Sequence, residues 1–234
     1  MAMRIGVVGA AGQMGTKLVE AIVSAPGLEL AACIVSPGSR HAGRPVAGGG
    51  IAYRAGDAAI NARCDVMIDF STPRSTMMFQ ELCAEKPIPF VIGTTGLSHR
   101  DMKALARHAR HRPMVQSENY AAGSLAFEQA ATLIAGAAPG ARAQRSDVRR
   151  LRRDAGGLSD MRPSMIARPA DVTEYSFDAG GVEITLTYRV STLAAYVDGA
   201  LAAAHWLVDS GPTSGLHTLA DTIRDKSRTR DDRP

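Results

Sequence analysis

Short apolar runs alternate with longer amphipathic stretches through the first half of the chain. Each run is long enough for one buried parallel strand, and each leads through a turn into a stretch with helical periodicity. The runs cover residues 5–8, 28–35, 65–70, 89–92 and 114–117. Strands that alternate with helices in this way predict an α/β fold, built on a Rossmann-like doubly wound parallel sheet.

The pattern changes after Gly123. An arginine-rich stretch occupies 141–153, and polar and apolar residues alternate with a period of two at 182–190. This alternation predicts a half-buried strand, which we expect to pair with a strand inside 164–177. Helices are expected at 124–136, 196–209 and 216–223. This second part of the chain predicts a smaller α/β domain with a mixed sheet.

The turn after the first strand carries glycine at every third position, as Gly9, Gly12 and Gly15. A dinucleotide site needs this order of strand, glycine turn and helix. The first glycine permits a tight turn, the second lets the backbone approach the pyrophosphate, and the third lets helix and strand pack closely. The turn therefore predicts a dinucleotide site, with a purely structural glycine-rich turn as the alternative.

The end of the second strand predicts the choice of cofactor. NAD-binding folds place a carboxylate there to bind the adenosine ribose. This chain has Ser36 and Arg40 after Val35, and no carboxylate before Asp57. A hydroxyl and a guanidinium suit a 2′-phosphate, so NADPH is favoured, with NADH as the alternative.

Composition narrows the classes of protein. The 234 residues carry a net charge of +4, with 45% hydrophobic and 21% charged residues, which fits a globular protein. No apolar run approaches the length of a membrane span, and no leader sequence is evident, so a cytoplasmic protein is expected. The three cysteines are isolated, which disfavours a disulfide framework or a metal site. The arginine run lacks interleaved aromatic residues, which disfavours nucleic-acid binding.

Four motifs together resemble the dihydrodipicolinate reductase family of lysine biosynthesis. They are MRIGVVGAAGQMG at 3–15, DFSTP at 69–73, VIGTTG at 91–96 and ENYAAG at 118–123. The resemblance implies an NAD(P)H-dependent reductase. It also implies a dinucleotide-binding domain made of 1–122 and 197–234, and a domain for substrate binding and oligomerisation at 123–196. A homo-oligomer, either a tetramer or a dimer, and a small acidic substrate are expected with it.

The strand ends and the resemblance give one set of predicted cofactor contacts. They are Gly9, Ala10, Ala11, Gly12, Gln13, Met14, Ser36, Arg40, Phe70, Gly93, Thr94, Thr95, Ser117, Asn119 and Tyr120. These residues lie at or just after the carboxyl ends of parallel strands, where ligands of such sheets bind.

The chain departs from the family at its catalytic signature, which has two adjacent histidines and a lysine. Val148 and Arg149 stand at the histidines here, and Arg152 stands at the lysine. Arginine keeps its proton at neutral pH and is a poor general acid. Arg149 and Arg152 are therefore predicted to bind an acidic group of the substrate. The proton donor stays unassigned, with Tyr120, Tyr175, water and the substrate itself as candidates.

Three functions stay open at this point. The first is a reductase with an altered substrate, which transfers hydride to a cyclic imine, an iminium or a dihydropyridine-like acceptor. The second is the family's own reaction, as a 4-hydroxy-tetrahydrodipicolinate reductase. The third is a non-catalytic NADP-binding sensor or scaffold.

Overall fold

The apolar runs of the first half form a parallel sheet in the computed structural model. The structure describes residues 1–48, 50–55, 63–137, 142–148, 170–178 and 180–223. The elements up to residue 116 are β1 Met3–Val8, α1 Gln13–Ser24, β2 Leu28–Val35, β3 Tyr53–Ala55, β4 Val66–Asp69, α2 Pro73–Leu82, β5 Phe90–Ile92, α3 His99–His108 and β6 Pro113–Gln116. The later elements are α4 Ser124–Ala137, β7 Arg142–Val148, β8 Asp171–Asp178, β9 Glu183–Val190, α5 Ala194–Asp209 and β10 Gly215–Thr218.

The larger sheet has the order β10-β6-β5-β4-β1-β2-β3, and all of its pairings are parallel. The strand order changes direction at β1, which has β2 on one side and β4 on the other. Every residue of β4 and of β5 is buried, as expected for a strand covered on both faces. The predicted Rossmann-like α/β fold is confirmed.

The smaller sheet contains β7, β8 and β9. Its described pairings are antiparallel, where the sequence analysis expects a mixed sheet. The reason is the short connection between β8 and β9, because a tight turn joins only antiparallel neighbours. Helix α4 packs on this sheet, and the ring of Phe127 lies 5.5 Å from that of Tyr175 and 5.3 Å from that of Tyr188.

The chain divides into two compact units. The first contains Met1–Tyr120 and Val197–Pro234, and the second contains Ala121–Tyr196. The assignment of the first unit to the cofactor, and of the second to substrate and oligomerisation, stays a prediction. No helix in the described part of the chain is both long and apolar enough to cross a membrane.

Strand β10 corrects the helix predicted at 216–223. Residues Gly215–Thr218 instead pair in parallel with β6, and only 219–223 are helical. The backbone N–H and the hydroxyl of Thr218 both donate to Asp221 Oδ2, which caps the helix after the strand. A four-residue edge strand carries too short a pattern to be separated from the helix that follows it.

Helix α5 contacts the loop after β6 through a glycine. A Cβ atom at Gly199 would lie only 1.7 Å from the carbonyl oxygen of Tyr120. The helix backbone therefore rests directly on the backbone of residue 120. Any larger residue at position 199 would displace the loop that contains Ser117 and Asn119.

Candidate nucleotide site

The glycine turn after β1 has the geometry that only glycine permits. Gly9 has a φ of +78°, and a Cβ there would lie 2.9 Å from the carbonyl oxygen of Phe70. A Cβ at Gly15 would lie 2.1 Å from the carbonyl oxygen of Gly9. Gly15 thus allows α1 to start directly against the turn, and Gly9 allows the turn to pass close to the end of β4.

Helix α1 presents an uncapped N-terminus at this turn. Its N-cap residue, Gly12, provides no side-chain hydrogen bond, and the first turn contains no acidic residue. The N–H groups of Gln13 and Met14 therefore have no partner within the helix, and they lie at the positive end of its dipole. The N–H groups of Gly9 and Ala10 are already used, because both donate to the carbonyl oxygen of Ile34. The helix N-terminus fits a pyrophosphate.

A cavity of about 390 Å³ lies beside the turn, between the carboxyl ends of β1, β2 and β4. The predicted residues that line it are Gly9, Ala11, Gly12, Ser36 and Phe70. Further polar side chains that the sequence analysis missed also line it, namely Ser39, His41, Ser71, Thr72 and Ser75. Ser71 and Thr72 directly follow β4, so the strand-end rule could have found them, whereas nothing in the sequence distinguishes His41.

Among the described residues, none that lines the side of the cavity after β2 is a carboxylate. Ser36 is exposed there, and the backbone N–H of His41 donates to Ser39 Oγ at 3.2 Å. Arg40 does not line the cavity. Its guanidinium lies outside, with a long 3.4 Å hydrogen bond from Nε to His41 Nε2. The predicted contact from Arg40 therefore requires its exposed side chain to move.

Ala10 and Met14 have buried side chains that belong to the core of the first unit. Gln13 is half-buried. A contact from Ala10 or Met14 to a cofactor would therefore come from the backbone. The periodicity of α1 places Met14 on its buried face, together with Leu18 and Ile22.

The loop after β5 is held against the end of β4. A Cβ at Gly93 would lie 2.3 Å from the ring of Phe70, so the ring covers this glycine. Thr94 is buried, and its hydroxyl lies 2.8 Å from the hydroxyl of Thr76. Thr95 is exposed. Of the three predicted contacts in this loop, only Thr95 has an exposed side chain.

Asp69 is fully buried at the end of β4. Its Oδ1 accepts the Ser71 N–H at 2.9 Å and the Thr94 hydroxyl at 3.4 Å. Its Oδ2 is also buried and has no hydrogen-bond partner among the described residues. Burial raises the pKa of this carboxyl, and the hydrogen bonds to Oδ1 lower it in part.

The loop after β6 contains the last predicted contacts. Ser117 Oγ donates to the carbonyl oxygen of Asn119 at 2.9 Å and accepts the Asn119 N–H at 3.1 Å. Tyr120 is buried, and its hydroxyl lies 3.1 Å from the carbonyl oxygen of Ile92 and 3.0 Å from that of Val115. Burial raises the pKa of Tyr120 well above the ordinary phenol value. The phenol therefore belongs to the core, which disfavours Tyr120 as the proton donor.

The other candidate donor, Tyr175, lies in the second unit. Its hydroxyl donates to Glu128 Oε2 at 2.7 Å and accepts a hydrogen bond from Arg145 at 2.8 Å. Partial burial and the hydrogen bond to Glu128 raise the pKa of Tyr175, so this phenol holds its proton. The predicted substrate residues Arg149 and Arg152 lie outside the described residues. Within the described ranges no group of histidines, cysteines and carboxylates is placed to hold a metal ion.

The parallel sheet, the glycine turn and the uncapped helix at the strand ends define a Rossmann-type dinucleotide-binding fold. The family model for the N-terminal part of dihydrodipicolinate reductase matches residues 3–120. The chain belongs to the dihydrodipicolinate reductase family.

Similar proteins support this membership. The 4-hydroxy-tetrahydrodipicolinate reductase of Acinetobacter baumannii (strain AYE) is 38% identical over 128 residues, which are 52% of this chain and 46% of the relative. The enzyme of the same name from Halorhodospira halophila is 29% identical over 267 residues, which are 95% of this chain and 99% of the relative. In the first of these matches, the chain spans about half the length of its curated relative.

Solved structures show the same fold. A dipicolinate-bound dihydrodipicolinate reductase from Paenisporosarcina sp. TG-14 superimposes with a TM-score of 0.64 at 16% identity, over 93% of this chain and 98% of that one. The diaminopimelate (DAP) dehydrogenase of C. glutamicum, in complex with DAP, gives a TM-score of 0.54 at 12% identity, over 93% and 92% of the two chains.

Proposed function

We propose that this chain is an NADPH-dependent reductase with an altered substrate site. The observation that carries the proposal is the glycine turn, where the uncapped N-terminus of α1 adjoins a cavity that has hydroxyl groups, and no carboxylate from the described residues, at the end of β2. Family membership supports the same reaction class. The proposed domain for the cofactor is 1–122 with 197–234, and 123–196 would bind the substrate and form a homo-oligomer.

In this proposal the chain's own residues bind and orient, and none of the described residues donates the proton. Gln13 and Met14 provide N–H groups to the pyrophosphate, and the bound cofactor supplies a hydride. Arg149 and Arg152 hold an acidic group of the substrate. The Tyr120 phenol is buried in the core and the Tyr175 hydroxyl already donates to Glu128, so in this proposal water or the substrate provides the proton. An acceptor that already carries a positive charge, such as a cyclic iminium, needs no general acid before the hydride arrives.

The test follows NADPH absorbance with the purified chain and a panel of acceptors. The panel contains a preformed cyclic iminium, a neutral cyclic imine and the family's hydroxy-tetrahydrodipicolinate. We expect the iminium to be reduced fastest, because it requires no general acid. Faster reduction of the family's substrate would favour the ordinary lysine-pathway reductase instead. NADPH that binds without any turnover would favour a non-catalytic sensor.

Cofactor preference has a separate test at the end of β2. Replacing Ser36 with aspartate is expected to weaken NADPH binding by more than about tenfold, because a carboxylate there repels the 2′-phosphate. Binding of NADH should stay level or improve, since the carboxylate accepts hydrogen bonds from the ribose. The matched control is Ser36→Asn, because asparagine has the size of aspartate without its charge. It should leave the affinity for NADPH within about twofold of the wild type. Isothermal titration calorimetry measures both ligands, and equal losses for both would refute the preference.

A further inference from the structure

One buried polar cluster has no part in the proposed chemistry. It consists of Asp69, Ser71, Thr76 and Thr94, and we call it the Asp69 cluster. Asp69, Thr76 and Thr94 are 0%, 0% and 1% exposed. None of these three lines the cavity, so they do not contact a ligand there, whereas the fourth member, Ser71, does line it.

The Asp69 cluster joins three elements at the carboxyl end of the sheet. Asp69 ends β4, Thr76 lies in α2, and Thr94 lies in the loop after β5. The Thr94 hydroxyl contacts both Asp69 Oδ1 at 3.4 Å and the Thr76 hydroxyl at 2.8 Å. The backbone adds a further bond, from the Gly93 N–H to the Asp69 carbonyl oxygen at 2.8 Å. The loop is thus attached to β4 and to α2 through buried groups.

Phe70 provides a second contact to the same loop. Its ring covers Gly93, and its side chain lines the cavity beside the glycine turn. The loop after β5 is therefore held by an aromatic ring at Gly93 and by hydroxyl groups at Thr94. A shift of the loop at Gly93 and Thr94 would therefore break buried contacts.

The buried polar groups of the Asp69 cluster lower the stability of the fold. A buried carboxyl oxygen without a partner is expensive, and Asp69 Oδ2 is such an atom among the described residues. Apolar residues of the same size would pack this space at a lower cost. Buried groups left unsatisfied in this way are found at functional sites, where a fixed geometry outweighs the lost stability.

In the sheet, β2 lies on one side of β1, and β4 and β5 lie on the other. A dinucleotide crosses the strand ends at this point, so an adenosine half at the end of β2 leaves the nicotinamide half at the ends of β4 and β5. We propose that Asp69, Thr76 and Thr94 are positioning residues, which fix the Gly93–Thr95 loop for the nicotinamide half of NADPH. This inference rests on the proposed function. It assigns the hydroxyl of Thr94 an interior role, and it leaves contact with the cofactor to the backbone of the loop and to Thr95. The adenosine half of the site, between the glycine turn and Ser36, does not depend on the cluster.

The test compares two ligands on the full chain by calorimetry. They are NADPH and 2′-phospho-ADP-ribose, which lacks the nicotinamide. In Thr94→Val we expect NADPH to bind about fivefold more weakly, because the buried contacts of the Thr94 hydroxyl with Asp69 and Thr76 are lost, while 2′-phospho-ADP-ribose binds as before. The matched control is Thr173→Val in the second unit, where an equally buried threonine donates to Asp147 Oδ1 at 2.8 Å. The control should change neither affinity.

A double variant separates positioning from folding. Thr76→Val with Thr94→Val removes both partners of the 2.8 Å contact and also the 3.3 Å contact of Thr76 with Ser71 Oγ, so the loss of stability should be smaller than the sum of the losses in the two single variants. The selective loss for NADPH should persist in the double variant. Recovery of NADPH affinity together with stability, or equal losses for both ligands in Thr94→Val, would overturn this inference alone. A wild-type chain that binds neither ligand would overturn the proposed function and this inference with it.

Discussion

Gly15→Ala is expected to abolish measurable NADPH binding and to destabilise the first unit. The new Cβ would lie 2.1 Å from the carbonyl oxygen of Gly9 and 2.7 Å from the Cα of Ala10. Both are backbone atoms, so no side-chain rotation relieves the overlap, and α1 must move away from the turn. The N–H groups of Gln13 and Met14 then leave the place where a pyrophosphate would bind. We expect an affinity loss beyond about 100-fold and a loss of about 2–3 kcal/mol in the free energy of unfolding.

The control for Gly15→Ala is Gly136→Ala, because both positions are helical. A Cβ at Gly136 meets nothing within 4 Å among the described residues, so alanine should raise the free energy of unfolding by about 0.5–1 kcal/mol. NADPH binding should not change in this variant. Calorimetry and urea denaturation measure the two effects. A Gly15→Ala chain that binds NADPH as tightly as the wild type would contradict the assigned site.

Arg112→Ala is expected to produce the largest loss of stability of any single substitution considered. Arg112 is 0% exposed, and its guanidinium donates to Gln80 Oε1 at 2.7 Å, to the Lys86 carbonyl oxygen at 3.0 Å and to the Cys83 carbonyl oxygen. These acceptors belong to the C-terminal end of α2 and the turn after it, where a positive charge also complements the helix dipole. Within the described ranges no carboxylate pairs with Arg112.

Removing the guanidinium takes the donor from the buried Gln80 Oε1 and from the Lys86 carbonyl oxygen, and leaves the Cys83 carbonyl oxygen with only the Lys86 N–H. It also opens a cavity beside Phe90, whose ring centroid lies 5.1 Å from the guanidinium carbon. The free energy of unfolding should fall by about 4 kcal/mol. Arg112→Lys keeps the charge but not the planar fork, so an intermediate loss is expected. The exposed Arg110→Ala is the control and should stay within about 0.5 kcal/mol of the wild type. The midpoint of urea denaturation reports all three, and equal midpoints for Arg112→Ala and Arg110→Ala would refute the role.

The sequence predicted the central parallel strands well because strands such as β4 and β5 are buried on both faces. A continuous apolar run between two turns, such as Val66–Ile68, is typical of a parallel strand that is covered on both faces. Edge strands are different. Strand β10 has only four residues and pairs on one side only, and its own apolar content is a single leucine, Leu216. Residues Gly215–Thr218 form a strand because they pair with β6, which lies about a hundred residues earlier in the chain. A local sequence pattern cannot contain this information.

The candidate site was predictable where the backbone determines it. Gly9 and Ser36 follow from strand ends alone, and both line the cavity. Side-chain direction was not predictable in the same way. Thr94 and Thr95 are adjacent and chemically alike, yet one is buried and the other is exposed. The phenol of Tyr120 likewise points into the core, because the carbonyl groups that accept its hydroxyl lie on two other strands of the fold.

The position of β10 has a consequence for the order in which the chain is made. The first unit is discontinuous in the sequence. Strand β10, which pairs with β6, is synthesised after the whole second unit. At typical translation rates this delay is roughly ten seconds. During that time β6 exposes an unpaired edge, and the loop at Tyr120 lacks Gly199. The second unit is therefore synthesised in full while the sheet of the first unit still lacks its last strand.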